Sequence, residues 1–304
     1  MTNSEVLDSL FLKDGNLTVS FNSTFQHTGT LVLSFPSITN ILTGTAYTKT
    51  INITSPTGSF NFNQTYNDLL GYKIDFTQSV GNNQFPVIAE FTQNSSGNPV
   101  NSGDQASLSV SFSNLQFNYL FGDLGQYTIH INPDTVHVEI FNKAFDGFMY
   151  FVDPKFRFYI DNSLGLPMSF DFLDFQIYST SLQGYNTYQF PSAYDPLLVS
   201  APIIPGQVSQ TVLLLDTNNF TTIRDIVADN PKYVYFGVDA LTNPTGTSQY
   251  NFASDTSRFS VDLEVELPMW GRADYFVLQD SLDFDFENSI GDIIQYDSLM
   301  VEYV

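Results

Sequence analysis

The chain has 304 residues, 42% of them hydrophobic, which is enough for about two domains with real cores and argues against wholesale disorder. Ten Lys and Arg against 32 Asp and Glu leave a net charge of −22, which repels nucleic acid and anionic membrane surfaces and reads first as a solvated acidic coat. The absence of cysteine excludes disulfides, zinc–thiolate sites and thiol nucleophiles.

Phe (29), Tyr (17) and β-branched residues suit strands, and abundant Asn, Ser and Gly suit the turns between them. In chain order, Leu17, Val19 and Phe21 alternate with polar residues, and Leu31, Leu33 and Phe35 follow across a turn at 27–29. Strands of about 5–8 residues are then predicted at 47–54, 59–66, 72–77, 86–92, 106–112, 127–131 and 136–141. Turn chemistry separates them at 55–58, 81–83, 94–99, 102–104 and 132–134. Beyond 142 the pattern continues at 155–160 and 168–178. A long Pro/Gly/Ser-rich connection follows from about 179 to 207, and strands resume at 208–215. One short helix is predicted near 220–229, capped by Asn218-Asn219, carrying Ile223, Ile226 and Val227 at helical spacing and ended by Asn230-Pro231. A strand at 233–240 follows. The clearest alternation runs from 259 to 267, with Asp262, Glu264 and Glu266 on one face and Phe259, Val261, Leu263, Val265 and Leu267 on the other. Strands at 275–278 and 281–286 complete the set, the last with Leu282, Phe284 and Phe286 opposite Ser281, Asp283 and Asp285.

This grammar predicts an all-β protein of two or more antiparallel β-sandwich or barrel-like domains with one short helix. The expected division is an N-terminal domain over 1–145 and a C-terminal sandwich region over 146–304. The charge balance shifts near it, from net −7 over 1–142 to net −15 over 143–304. No segment approaches the ~18 apolar residues of a membrane helix. The start, MTNSEVLDSL, has neither the basic nor the apolar part of a signal peptide, so an exported form would carry its signal outside this sequence. The end, SLMVEYV, reads as a strand that either pairs in a sheet or continues into further chain.

Chemistry-bearing motifs are sparse. His130 and His137 flank the turn at 132–134 and would face each other across a hairpin, with Asp134 or Glu139 as a third ligand; polar surface is the plainer reading, and no metal site is expected there or at His27. Asp283, Asp285 and Glu287 share a strand face, but ligands ~7 Å apart along a strand do not converge on one ion. No P-loop, GxSxG, HExxH or GxGxxG occurs, so neither an enzyme nor a cofactor is expected. Aromatics remain. Trp270, the single tryptophan, sits in a loop between strands and either meets a partner or folds down as a lid on the core. Tyr185, Tyr188 and Tyr194 form a second candidate patch in the long connection.

Several stretches resemble uncharacterised cell-envelope proteins of the Bacteroidetes. They are PKFRFYIDNSLGLPMSF at 154–170, IRDIVADNPKYVYFGVDALTNP at 223–244, ELPMWG at 266–271 and DSLDFDFEN at 280–288. The first half, with TGTLVLSFPSI at 28–38 and LFGDLGQ at 120–126, is similar more loosely. The NSLGLP unit is also similar to small sandwich domains of late-embryogenesis-abundant type. The resemblance implies an exported, lipoprotein-like β-sandwich protein outside the cytoplasm, at the cell surface, outer membrane or periplasm, and assigns no active residue. The functional expectation is a non-catalytic binding or scaffold subunit that engages an envelope protein partner through loops at the sandwich ends. A carrier of an apolar ligand and a glycan-binding surface protein are the alternatives.

Overall fold

The computed structural model describes residues 5–54, 59–79, 81–246, 250–268 and 270–280. The expected strand at 281–286, the carboxylates Asp283, Asp285 and Glu287, and the turn at 55–58 lie outside the described residues. Of the described residues, 58% are in strands and 5% are helical. In order the strands are β1 Val6–Ser23, β2 Gly29–Asn40, β3 Ala46–Ile53, β4 Phe60–Tyr66, β5 Tyr72–Asp75, β6 Ile88–Gln93, β7 Ala106–Asp123, β8 Thr128–His137 and β9 Ala144–Phe151. They continue as β10 Lys155–Asn162, β11 Met168–Ser179, β12 Gly184–Thr187, β13 Leu197–Val199, β14 Ser209–Leu215, β15 Tyr233–Thr242, β16 Asn251–Ser254, β17 Phe259–Glu266 and β18 Gly271–Leu278. Among the described residues a single α-helix, α1, spans Ile223–Ala228. All strand pairs are antiparallel. Among the described residues no helix is long and apolar enough to cross a membrane.

The first sheet runs β16-β7-β1-β5-β2-β3, with β4 also on β1 and β6 also on β2. Short β5 bridges one end of β1 and β2, while β4 and β6 take the same edges farther along, so the sheet curls into a half-barrel. Leu17, Val19, Phe21, Leu31, Leu33 and Phe35 fill its inside, as their period of two dictates. β1 and β7 are each 18 residues, far beyond the short strands expected. Register shifts between Leu7 and Asn16 bend the pair and break the alternation that would have revealed its full length.

In the second half the sheet β14-β10-β17 faces β12-β11-β15-β8 across a core of Phe156, Phe158, Phe170, Ile177, Val234 and Val238. Three local expectations need correction. The 179–207 connection contains β12 and β13, both paired with β11. Residues 127–141 form no hairpin: β8 is one strand along β15, with an irregularity opposite Phe236 and Val238. It lies at the sheet's edge, where Pro133 can withhold a backbone donor without breaking an interior ladder. The helix starts later than 220, because Asp216 accepts the Asn218 and Asn219 amides in an Asx turn and holds 216–219 outside it. Its Ile223, Ile226 and Val227 are buried as the spacing required.

The division at 145 and the packing are different cuts. β8, before 145, belongs to the second body, and β16, after it, extends the first sheet at β7. The two cores change over between Phe112 and Leu124.

Candidate functional site

β9 and β18 form a two-stranded ribbon beside the second core. Pro268 follows β17 and cannot donate to a ladder, which helps release the chain from β10 before β18 begins. The ribbon is in register from Gly271↔Phe151 to Asp274↔Phe148, then slips by a bulge and resumes at Val277↔Asp146. Gly147 makes the slip: it lies at φ +80°, and a Cβ there would sit 2.2 Å from the Tyr275 carbonyl oxygen. Tyr275 itself adopts φ 48°, rare for an aromatic residue. The far edge of β9 is closed by α1 and the residues after it: Arg224 Nε donates to Val152 O at 3.0 Å and Asn230 Nδ2 to Gly147 O at 2.8 Å.

The ribbon has two faces. Val152 N donates to Trp270 O at 3.2 Å, extending the ladder and putting Trp270, Val152, Tyr150, Arg272 and Phe148 on one face. Phe148 and Tyr150 stack at 6.1 Å, and the Arg272 guanidinium lies 4.7 Å from the Tyr150 ring centroid. Trp270 is 76% exposed at this end, so the indole does not fold down as a lid. The opposite face and the core enclose an apolar groove of about 430 Å³, lined by Ile140, Phe141, Met149, Phe151, Phe276 and Leu278 among others.

The tyrosines of the long connection separate. Tyr185 is 49% exposed on β12 and meets Tyr178 of β11 edge-to-face at 5.6 Å. Tyr178 meets Tyr233 of β15 at 5.5 Å, Tyr233 meets His137 of β8 at 4.4 Å, and Tyr235 lies 6.3 Å from Tyr185. An aromatic row thus crosses all four strands of the outer sheet surface. Tyr188 and Tyr194 instead pack against the core: burial raises the Tyr188 phenol above its ordinary value, and the Tyr194 hydroxyl accepts from Asn219 at 3.3 Å. Alternation of Tyr233 and Tyr235 with buried Val234 was visible in the sequence. The strand order β12-β11-β15-β8 that assembles the row was not.

The remaining candidates are paired structurally. Glu264 and Glu266 face β10, where Arg157 bonds Glu264 at 2.6 Å and Lys155 bonds Glu266 at 3.0 Å. The hydrogen bonds from Lys155 and then Arg157 hold Glu266 below the usual carboxylate range. The face is therefore a cross-strand charge ladder rather than a purely acidic one. Asp262 is opposite Tyr159. His130 bonds Asp239 at 2.7 Å, and His27 bonds Ser96 at 2.9 Å. Among the described residues no three His, Asp or Glu side chains are grouped to hold a metal ion. Asp171 sits near Asp195 and Asp239; burial first, then their charges, pushes its carboxyl up.

No protein-family model matches the chain, and no curated protein matches it. Among solved structures it is similar to a chain in the structure of infectious bursal disease virus, Gx strain, at 12% identity, covering 86% of this chain and 58% of that one, with a TM-score of 0.19. The chain therefore spans less than two thirds of that neighbour's length, and a superposition this loose implies no shared function.

Proposed function

We propose that this chain is a non-catalytic binding or scaffold protein of the cell envelope, an exported, lipoprotein-like subunit that engages a protein partner through the Trp270 face of the β9–β18 ribbon. The observation that carries the reading is the exposure of the single tryptophan at the end of a row with Val152, Tyr150 and Phe148, beside Arg272. Trp, Tyr and Arg are the residues in which interface binding energy concentrates. An indole already held out on a paired backbone loses less conformational freedom on docking than one on a free loop. The compartment follows from the resemblance of 154–170, 223–244 and 266–271 to envelope proteins of the Bacteroidetes. The binding role is also supported by one group of shifted side chains: Lys155, Arg157, Tyr159 and Glu266 are engaged in a sheet-surface ladder rather than converging in a cleft.

The test is Trp270→Ala, used beside the native protein as bait on gently solubilised envelope of the source organism. The expected result is an unchanged melting temperature and a stoichiometric partner lost or weakened at least tenfold, the range of a hot-spot truncation of ~2 kcal/mol. Equal recovery of that partner by both baits would remove Trp270 from the interface.

A second reading, glycan recognition, is favoured by the row of exposed Tyr185 and half-buried Tyr178 and Tyr233, because aromatic rings in line on a sheet surface offer a platform for sugar rings. A glycan array checks it: a sugar bound by the native protein and lost in Tyr185→Ala supports this reading, and an empty array counts against it.

A further inference from the structure

One edge of β11 is taken by β15 and the other by two separate strands. On that second edge β13 pairs with residues 168–170 and β12 with residues 176–179, and among the described residues no strand pairs with 171–175 between them. The chain crosses this interval in nine residues, 188–196, where five would complete the ladder, so it arches off the sheet. Tyr188 N donates to Phe175 O at 2.8 Å at one foot of the arch, and Phe172 N donates to Asp195 Oδ1 at 3.1 Å at the other. A 3-10 turn at Ser192–Tyr194 closes it. Under the arch lies a cleft of about 370 Å³, lined by Phe172, Phe175, Tyr188, Gln189, Phe190 and Asp195 among others. The bulge between Leu173 and Gln176 shapes its floor: Phe172 and Phe175, three residues apart, would leave a regular strand on opposite faces, yet both pack on the core side.

The walls are aromatic and the charge is of one sign. Phe172 and Phe190 stack with ring centroids 3.8 Å apart, and Phe175 meets Phe190 edge-to-face at 5.4 Å. Asp195 supplies the charge of the lining, and Asp171 stands close enough for the Asp195 carboxylate to help push its carboxyl up, after burial. On the facing sheet Glu264 and Glu266 are matched by Arg157 and Lys155, whereas among the described residues no Lys or Arg pairs with Asp195 or Asp171. We propose that this cleft binds an alkylammonium ion, a primary amine on a short apolar chain, with the chain against Phe172, Phe175 and Phe190 and the ammonium beside Asp195 and the Tyr188 ring. An ammonium gains from a carboxylate and from an aromatic ring together, which neither a neutral nor an anionic head group does. Its three donors have further acceptors in the exposed side-chain oxygens of Gln189 and Ser192, which also line the cleft. The volume lies in the range of small-molecule sites. The cleft shares no residue with the Trp270 face or with the tyrosine row, so the proposal stands or falls independently of both readings above.

Pentylamine, pentanol and pentanoate carry the same apolar chain and differ in the charge of the head group. Each is titrated calorimetrically into the full chain. Pentylamine is expected to bind one to one, at least tenfold tighter than pentanol, with no binding of pentanoate. Asp195→Asn removes the charge but keeps the side-chain oxygen that accepts from Phe172 N, so it should weaken pentylamine at least tenfold at an unchanged circular-dichroism spectrum. Ser192→Trp, which fills the exposed mouth, should abolish binding, while Asp262→Asn on the facing sheet should leave it unchanged. Pentanol binding as tightly as pentylamine would make the cleft a purely apolar site and overturn the proposal. Equal weakening by Asp262→Asn and Asp195→Asn would assign the amine to the acidic coat as a whole, with the same consequence. No binding of pentylamine at millimolar concentration to folded protein would also overturn it. A short neutral peptide with one lysine, titrated in the same way, separates the two sources of the amine: binding tighter than pentylamine points to a lysine of a partner, binding weaker than pentylamine to a free amine, and either upholds the site.

Discussion

Asp68 accepts a hydrogen bond from the buried Tyr47 hydroxyl at 2.5 Å and an ion pair from Lys49 at 2.5 Å, whose ammonium also lies over the Tyr47 and Tyr66 rings. Burial pushes the Asp68 carboxyl up, but the bonds from Lys49 and Tyr47 outweigh it and leave it below its ordinary value. Its contribution to stability is thus fully present above the unfolded value near 4 and is lost as pH falls through the lower folded value. Asp68→Ala strands the Tyr47 hydroxyl and should cost about 1–2 kcal/mol at neutral pH. In urea unfolding from pH 7 to 3 the gap to the native protein should narrow at the acid end; a gap constant with pH would refute the linkage. Asp171 behaves oppositely. Its raised folded value means that its ionisation is disfavoured, so stability is fully present below ~4 and lost as pH rises through the folded value. Asp171→Asn should therefore gain a few tenths of a kcal/mol at pH 7, a small figure because the group is exposed and screened. The same denaturation series should show that gain vanishing below pH 4 and shrinking in 1 M salt; a loss of stability at pH 7 would reverse the assignment.

At the scale of elements, the ribbon depends on one backbone position. Gly147→Ala forces a methyl group against the Tyr275 carbonyl and a side chain into the left-handed region, a combined penalty of about 1–3 kcal/mol. Hydrogen exchange should speed up roughly tenfold or more in 144–151 and 271–278 while β1, β2 and β10 keep their protection; unchanged exchange in the ribbon would show that the bulge can relax. This element also marks how far the sequence could be read. Alternation at 259–267 identified β17 and its charged face, and helical spacing at Ile223, Ile226 and Val227 identified α1, because one buried face fixes each pattern locally. β12 and β13 escaped notice because strands of four and three residues have too little period to register and exist only through pairing with β11. Trp270 was identified as a candidate by being the single tryptophan. Its neighbours Tyr150, Phe148 and Arg272, and the tyrosine row across β12, β11 and β15, depend on which strands lie side by side. A period of two reports a residue's face but not the strand's neighbour, so those groupings became visible only in three dimensions.

At the scale of the molecule, the two bodies are tied by a buried amide knot where the chain passes from β7 to β8. Asn251, on β16, accepts from Leu124 N at 3.2 Å and from Asn243 Nδ2 at 2.9 Å. It donates to Gly165 O at 3.3 Å and to Asn243 Oδ1 at 3.1 Å. Asn243 also donates to Gly125 O at 2.7 Å, and its carbonyl accepts from Gln126 Nε2 at 2.8 Å. Gly165 presses so closely on Phe252 that a Cβ would meet the ring at 2.2 Å. Buried amides are tolerated here because each finds partners, and a network this connected fixes one arrangement of the strands it joins. The consequence is cooperative: β16 belongs in sequence to the second half but lengthens the first half's sheet, so neither body can lose its structure without exposing polar groups of the other. Asn251→Ala leaves the Leu124 amide without its acceptor and Asn243 Oδ1 without its donor, while Gly165 O keeps only the Phe252 amide. The expected cost is about 3 kcal/mol. Calorimetry should show the single unfolding transition of the native chain splitting into two, with the curled first sheet and the second core melting apart. If the variant still melts in one transition at the native temperature, the coupling lies elsewhere along the β7–β16 ladder or in the Lys13–Asp255 ion pair that crosses the same junction.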